Sequence, residues 1–507
     1  MGAVDGLWYG LSLAFTYQNL LAAFAGAFAG TAIGVLPGFG PTAGLALLLP
    51  FTFAMGPSTG LIMMASMLYG AMYGGSTTAI LMNMPGEAAS VMTCIDGYKL
   101  TKKGRSGAVL FIVAAGSFIG GTISVVGVML FVPTLAQLAI IFGPAEFFAL
   151  TAGGLLMLSR ISAGSLAAGL FPMALGLMLS TIGQEAVTGQ YRYTFGFNDL
   201  SQGLELAVLA VGVYGIAEVM VVVESLSGQV RPLRVKVREM LTTREELRRS
   251  WAPIGRGTIV GFLFGLIPGP SATLSTFAAY RLEKAVSKHR DEIGEGAIEG
   301  VAAPETANNA AATSLMVPML GLGIPFSSAT ALMLAAMMVH NVQPGPLLMT
   351  NHPEIFWAVI ASMFLGNLML VVINVPMIGI WVSMLRIPAY ILLPTILLMA
   401  AVGSYSLRNS MLDVSLLLVL GILGYVLRKF SFQLAPLVVG VVLGPMIEKH
   451  FREGLFMSQG DVSVFWSSPI AIGIWVLVLV VMTLGSMGRL WRRVFTSSER
   501  SMLTEGE

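Results

Sequence analysis

Charge is what this chain has least of. Only 11% of its 507 residues are Asp, Glu, Lys or Arg, while 56% are hydrophobic, against roughly a quarter charged in soluble domains. That excludes a soluble globular protein, and a net charge of +2 gives no reason to expect a nucleic-acid partner. One cysteine, Cys94, excludes an internal disulfide framework. The four histidines, His289, His340, His352 and His450, lie far apart and show no metal-ligand spacing. No Lys or Arg precedes Lys99, so no basic region of a cleavable signal is present at the start, and none is expected.

What the chain has instead is long apolar runs, broken in a repeated way. At about 20 residues per crossing, they predict an all-α polytopic membrane protein with roughly ten to twelve transmembrane helices plus re-entrant or broken ones. The sequence Gly34-Val35-Leu36-Pro37-Gly38-Phe39-Gly40-Pro41-Thr42 interrupts one run, and Gly265-Leu266-Ile267-Pro268-Gly269-Pro270-Ser271-Ala272-Thr273 interrupts another. A second landmark follows each by about fifty residues: Met82-Asn83-Met84-Pro85-Gly86-Glu87 and Leu322-Gly323-Ile324-Pro325-Phe326-Ser327-Ser328. Lipid cannot satisfy freed backbone groups, so such breaks survive only inside protein or beside a water-filled cavity. Matched breaks in two halves predict two structurally related repeats, taken as inverted, with a substrate site between them.

Basic residues set the topology. Lys99, Lys102, Lys103 and Arg105 crowd one short loop, and Arg231, Arg234, Lys236, Arg238, Arg244, Arg248 and Arg249 fill the longest polar segment. Arg281, Lys284, Lys288 and Arg290, then Arg489, Arg492, Arg493 and Arg500, complete the set. By the positive-inside rule these loops and the C-terminus are cytoplasmic. The expected organisation is a first membrane repeat with extra helices over 1–224, a cytoplasmic linker over 225–256, a second repeat over 257–488 and a tail over 489–507. Within the linker, Thr242-Thr243-Arg244-Glu245-Glu246 reads as the capped start of a short helix.

The windows around the four breaks contain no Lys or Arg. An anion there would be held by dipoles, namely N–H groups at half-helix starts together with hydroxyls and amides. The candidate substrate-binding residues are Gly38, Gly40, Thr42, Asn83, Pro85, Gly86, Ser90, Gly269, Ser271, Thr273, Pro325, Ser327 and Ser328. A multiply charged carboxylate would need a cation beside it. Asn308, Asn309 and Glu305 are the candidate cation-coupling residues, with sodium or a proton as the coupled ion. Thr77 and Thr78 lean toward helix packing, and Asp96 toward capping a loop.

These breaks, together with Tyr73-Gly74-Gly75-Ser76-Thr77-Thr78, Asp96-Gly97-Tyr98, Arg192-Tyr193-Thr194-Phe195-Gly196, Gly300-Val301-Ala302-Ala303-Pro304-Glu305-Thr306-Ala307-Asn308-Asn309, Pro344-Gly345-Pro346 and Leu443-Gly444-Pro445-Met446, resemble the large membrane subunit of the tripartite tricarboxylate transporters, the TctA family. The resemblance spans roughly nine tenths of the chain. It implies a bacterial inner-membrane secondary transporter driven by an ion gradient, with no cofactor. The implied partners are a periplasmic solute-binding protein (TctC-like), a small four-helix membrane subunit (TctB-like), a di- or tricarboxylate and the lipid bilayer. Two motifs depart from the family pattern: Pro268-Gly269-Pro270-Ser271 stands for Pro-Gly-x-Gly, and Ile324-Pro325-Phe326-Ser327 for Ile-Pro-Gly-Ser. Phe326 either reshapes the pocket or packs on a neighbouring helix.

Other function classes fit less well. A membrane-embedded enzyme needs a metal set or a nucleophile with its base, and none stands out. An anion channel would carry rings of fixed positive charge. Gly38-Phe39-Gly40 lacks the strand of a dinucleotide loop, and His289-Arg290-Asp291 lacks every companion of a kinase loop.

Overall fold

The computed structural model describes residues 2–36, 38–185, 188–224, 242–385 and 387–483. Helices α1 (Ala3–Ala14) and α2 (Tyr17–Gly34) meet at 84°. Past the first break come α3 (Pro41–Thr52), α4 (Pro57–Met82), α5 (Val91–Lys102) and α6 (Ser106–Ala139). Then follow α7 (Pro144–Ser162), α8 (Leu166–Leu179), a hairpin of β1 (Gly183–Gln184) and β2 (Tyr191–Arg192), and a helix made of α9 (Leu206–Ala210), a π-helical turn Val211–Ile216 and α10 (Ala217–Glu224). The second half runs through α11 (Arg244–Gly265), α12 (Ser271–Val286), α13 (Glu299–Ser314), α14 (Met316–Leu322), α15 (Ser328–Val339), α16 (Leu348–Asn351) and α17 (Pro353–Asn374). Helices α18 (Ile378–Met384), α19 (Ala389–Arg408), α20 (Met411–Lys429) and α21 (Leu434–Met457) follow, and a shorter apolar helix, Pro469–Thr483, ends the described residues.

The all-α polytopic reading holds. Among the described residues, six helices are long and apolar enough to cross a membrane, or seven with the bent α1–α2 pair. Part of the shortfall from ten to twelve has a physical reason. Helix α4 is 26 residues long, but Gly70, Gly74, Gly75, Ser76, Thr77 and Thr78 dilute its hydropathy. All but its first two residues are buried, so protein rather than lipid is its solvent.

Glycine spacing builds the centre of each half in the same way. A Cβ at Gly26, Gly30 or Gly34 of α2 would lie 2.1, 2.2 or 2.1 Å from the carbonyl oxygens of Met63, Met67 and Ala71 on α4. In α11, Cβ atoms at Gly257, Gly261 and Gly265 would lie 2.4, 2.4 and 2.5 Å from those of Ala303, Ala307 and Ala311 on α13. Each pair therefore runs parallel, backbone against backbone, which only small residues allow. The two pairs face each other antiparallel: Ser76 of α4 meets Glu305 of α13, and Tyr69 meets Thr313.

The basic loops are tied together by carboxylates. Asp96 is buried and accepts the N–H groups of Gly294 (2.9 Å), Gly296 (2.7 Å) and Ala297 (2.9 Å) and the Tyr280 hydroxyl (2.9 Å). This is the loop cap the sequence suggested, placed between α5 and the start of α13. Asp96→Ala is expected to cost about 3 kcal/mol, since it strands several buried donors, and a lowered unfolding midpoint in detergent would register it. Nearby, Arg249 binds Glu292 (2.7 Å) and Glu299 (2.8 Å). The Arg249 guanidinium holds the Glu292 carboxyl below the usual carboxylate range, so that contact is present at neutral pH and is lost as pH falls through the lowered value.

The cap at Thr243 is also present, with Thr243 and Glu246 exchanging hydrogen bonds. The helix it starts is not short. It continues for 22 residues to the third break, because no Gly-Pro signal intervenes and Pro253 is accommodated within it. Residues 225–241 of the expected linker, Pro37 and the 489–507 tail lie outside the described residues.

Candidate functional site

The site is assembled from chain that cannot stay helical. Gly38 adopts φ +89°, a left-handed conformation natural to glycine, and Gly40 caps α3. Asn83 ends α4 with φ +59°, after which the chain doubles back along α4. There a Cβ on Gly86 would fall 2.5 Å from Gly75 Cα and 2.8 Å from Gly34 O. Glu87 follows immediately, its Cβ 4.0 Å from where Gly40 would carry one. The first two breaks therefore touch.

The other two touch as well. The Gly269 N–H donates to Phe326 O at 3.0 Å. The Ser271 hydroxyl donates to Ile267 O at 2.7 Å, closing its own turn. Ser327 caps α15 by accepting from the Thr330 N–H at 3.2 Å. Across the halves, α12 lies against Ala88–Ser90 and α15 against α3. The return helix of each half thus meets the second break of the other.

Polar side chains bridge the same region. Asn308 Nδ2 donates to Glu87 Oε1 at 3.0 Å. Asn309 Nδ2 donates to Ser117 Oγ at 2.7 Å. Glu305, fully buried, accepts from the hydroxyls of Ser76 and Thr93. The amide oxygens of both Asn308 and Asn309 are buried and have no hydrogen-bond partner among the described residues. Two unpaired acceptors this deep cost about 1–3 kcal/mol each unless something binds them.

The sequence-predicted residues separate into two groups. Gly38, Gly40, Gly86, Ser90, Gly269, Ser271, Pro325, Ser327 and Ser328 line the paired breaks, with Thr42 and Thr273 in the first turns of α3 and α12. Asn83 and Pro85 are exposed, and Asn83 serves as a helix cap. The Thr78 hydroxyl is taken up by Gly75 O at 3.0 Å, in line with packing. Phe326 is 8% exposed, with its ring edge 3.7 Å from where a Cβ on Gly154 of α7 would lie. Phe326→Gly is accordingly expected to leave substrate preference unchanged while lowering stability by about 3 kcal/mol, which a substrate panel and a melting curve measure together.

A sequence model described as the "Tripartite tricarboxylate transporter TctA family" matches residues 20–439. The chain belongs to that family. Among its relatives is the "Uncharacterized 52.8 kDa protein in TAR-I ttuC' 3'region" of Agrobacterium vitis, 45% identical over 472 residues, 93% of this chain and 94% of that protein. The "Uncharacterized protein in TAR-II ttuC' 3'region" of the same organism is 47% identical over 224 residues, 44% of this chain and 93% of that protein. No solved structure matches. TctA membership makes this a multi-pass membrane protein of a transporter family and not of an enzyme family.

Within this TctA chain, four contributors escaped sequence reasoning. Glu87 sits inside a quoted break, and a carboxylate in apolar surroundings was the signal that could have found it. Tyr214, Glu218 and Arg428 come from helices far away in sequence. The Tyr214 hydroxyl donates to Ser328 Oγ at 2.6 Å, and Glu218 pairs with Arg428. A cavity of about 1550 Å³ lies at the far end of α21 from Arg428 and is bordered by Leu322, Pro344, Arg192, Glu448 and Arg452. Arg192 forks onto both Glu448 oxygens at 3.1 and 3.2 Å, and Arg452 joins Glu448 at 2.9 Å, which holds the β1–β2 hairpin to α21.

Proposed function

We propose that this TctA protein is the large membrane subunit of a binding-protein-dependent secondary transporter in a bacterial inner membrane. It imports a di- or tricarboxylate together with a cation, sodium or a proton. The observation that carries the reading is the junction itself: breaks from both halves meet beside a Glu87–Asn308 bridge, and two buried amide oxygens there are unpaired. Helix starts at α3, α5, α12 and α15 supply positive dipole ends for carboxylates. Asn308, Asn309 and Glu305 supply oxygen for the cation, a donor set suited to a hard ion.

The matched glycine stripes of α2–α4 and α11–α13, running in opposite directions, support inverted repeats. Such repeats exchange roles when access alternates between the two faces. The 1550 Å³ cavity reaches Leu322 beside the fourth break and serves as the vestibule on the face opposite the basic loops. A solute-binding protein would deliver there, and a small membrane subunit would complete the complex.

The test is uptake by proteoliposomes holding the large and small subunits with the binding protein outside. Accumulation of labelled citrate, malate or succinate under an imposed sodium or proton gradient, with counterflow in its absence, is the expected result. Uncoupled anion conductance would replace this reading with a channel.

A further inference from the structure

The windows around the breaks are free of Lys and Arg, yet the fold brings a guanidinium to them. Helix α20 packs tightly on the π-helical turn: a Cβ at Gly424 would lie 2.6 Å from Val213 O, and one at Gly421 would lie 2.5 Å from Ile216 Cγ2. One turn beyond Gly424, Arg428 Nη1 binds Glu218, which is itself buried. Glu218 Oε1 stands 3.1 Å from where Gly38 would carry a Cβ, which places the carboxylate against the first break.

Tyr214 lies four residues before Glu218, on the same face of its helix. Its hydroxyl donates to Ser328 at the fourth break, while Glu218 touches the first. One helix face thus joins the first break of one half to the second break of the other. The π turn lies in this stretch, and such bulges recur at functional sites because they re-aim side chains. Among the described residues the remaining N–H groups of Arg428 have no hydrogen-bond partner. They are donors in a fixed fork suited to a carboxylate.

We propose that Arg428 and Tyr214 are substrate-recognition residues, the guanidinium taking one carboxylate of the substrate and the phenol, its O–H turned from Ser328, a second acceptor, with Glu218 as the positioning residue that holds Arg428 when the site is empty. This rests on the carboxylate-transport reading above. It supplies the positive charge that backbone dipoles alone would lack. Two recognition groups on one face select substrates with two acceptor groups over monocarboxylates.

Counterflow of labelled citrate, malate and succinate by the reconstituted complete transporter tests it. Arg428→Gln is expected to raise KM at least tenfold, Arg428→Lys less, and Tyr214→Phe several-fold, with acetate remaining a poor competitor throughout. Because Arg428→Gln also strands the buried Glu218, the deciding protein is Arg428→Gln with Glu218→Gln, which removes both charges. A raised KM in that double variant, at wild-type amounts of folded protein, supports recognition. A double variant with wild-type KM would make the pair purely structural and overturn the assignment while leaving carboxylate transport intact. Wild-type protein that exchanges none of the three carboxylates would overturn the transport reading, and this assignment with it.

Discussion

Alanine in place of Asn309 is expected to abolish cation-driven uptake and to leave the protein folded and inserted. Asn309 is wholly buried on α13, its amide N–H₂ committed to Ser117 Oγ at 2.7 Å and to Glu305 O at 3.2 Å, its amide oxygen unpaired. An unpaired oxygen at this depth is a standing cost, which a cation bound there during the proposed cycle would offset. Alanine removes that cost together with the amide, and Ser117 Oγ and Glu305 O each lose one donor, so folding suffers little. Uptake under an imposed sodium or proton gradient should fall at least a hundredfold, while the unfolding midpoint shifts by no more than the equivalent of about 1 kcal/mol. Undiminished gradient-driven uptake in Asn309→Ala would remove the residue from the coupling site.

Valine at Gly261 is expected to have the largest structural effect. The added Cβ would meet Ala307 O at 2.4 Å and Ala310 Cβ at 2.7 Å, and a backbone carbonyl within a helix cannot step aside. The whole α11–α13 pair must separate, which costs at least about 3 kcal/mol and should eliminate the monodisperse folded fraction. Gly255, two residues before the stripe begins, has no atom of the described residues within 4 Å of where its Cβ would lie. Gly255→Ala should fold normally and gain up to about 1 kcal/mol from helix propensity. Size-exclusion profiles and thermal unfolding of the two variants compare them directly, and equal yields would refute the close approach of α11 to α13.

Local chemistry was readable from the sequence, and long-range placement was not. Pro and Gly in an apolar run have few uses, so all four breaks were visible, and the Thr243 cap followed from its Thr-x-x-Glu spacing. Asp96 as a capping group followed from its place three residues before Lys99. The number of spans was harder, because hydropathy reports exposure to lipid and α4 is surrounded by protein. Asn83 has two readings: an amide at a break reads as a ligand, but Asn also tolerates the left-handed conformation that ends a helix, and Asn83 ends α4 in that conformation. Arg428 gave no signal, since its importance lies in the packing of α20 on Val211–Ile216, nearly four hundred residues after Gly38.

The two glycine stripes set what can move. Carbonyl oxygens pressed onto glycine backbone at three successive turns leave no compressible side-chain layer between α2 and α4 or between α11 and α13, so each pair behaves as a stiff double rod. Bending would then fall at the joints where the rods stop, after Leu36 and at Leu266–Pro270. Those joints are also where the proposed guest would sit, so an occupant could stiffen or loosen the hinge it rests on without acting at a distance.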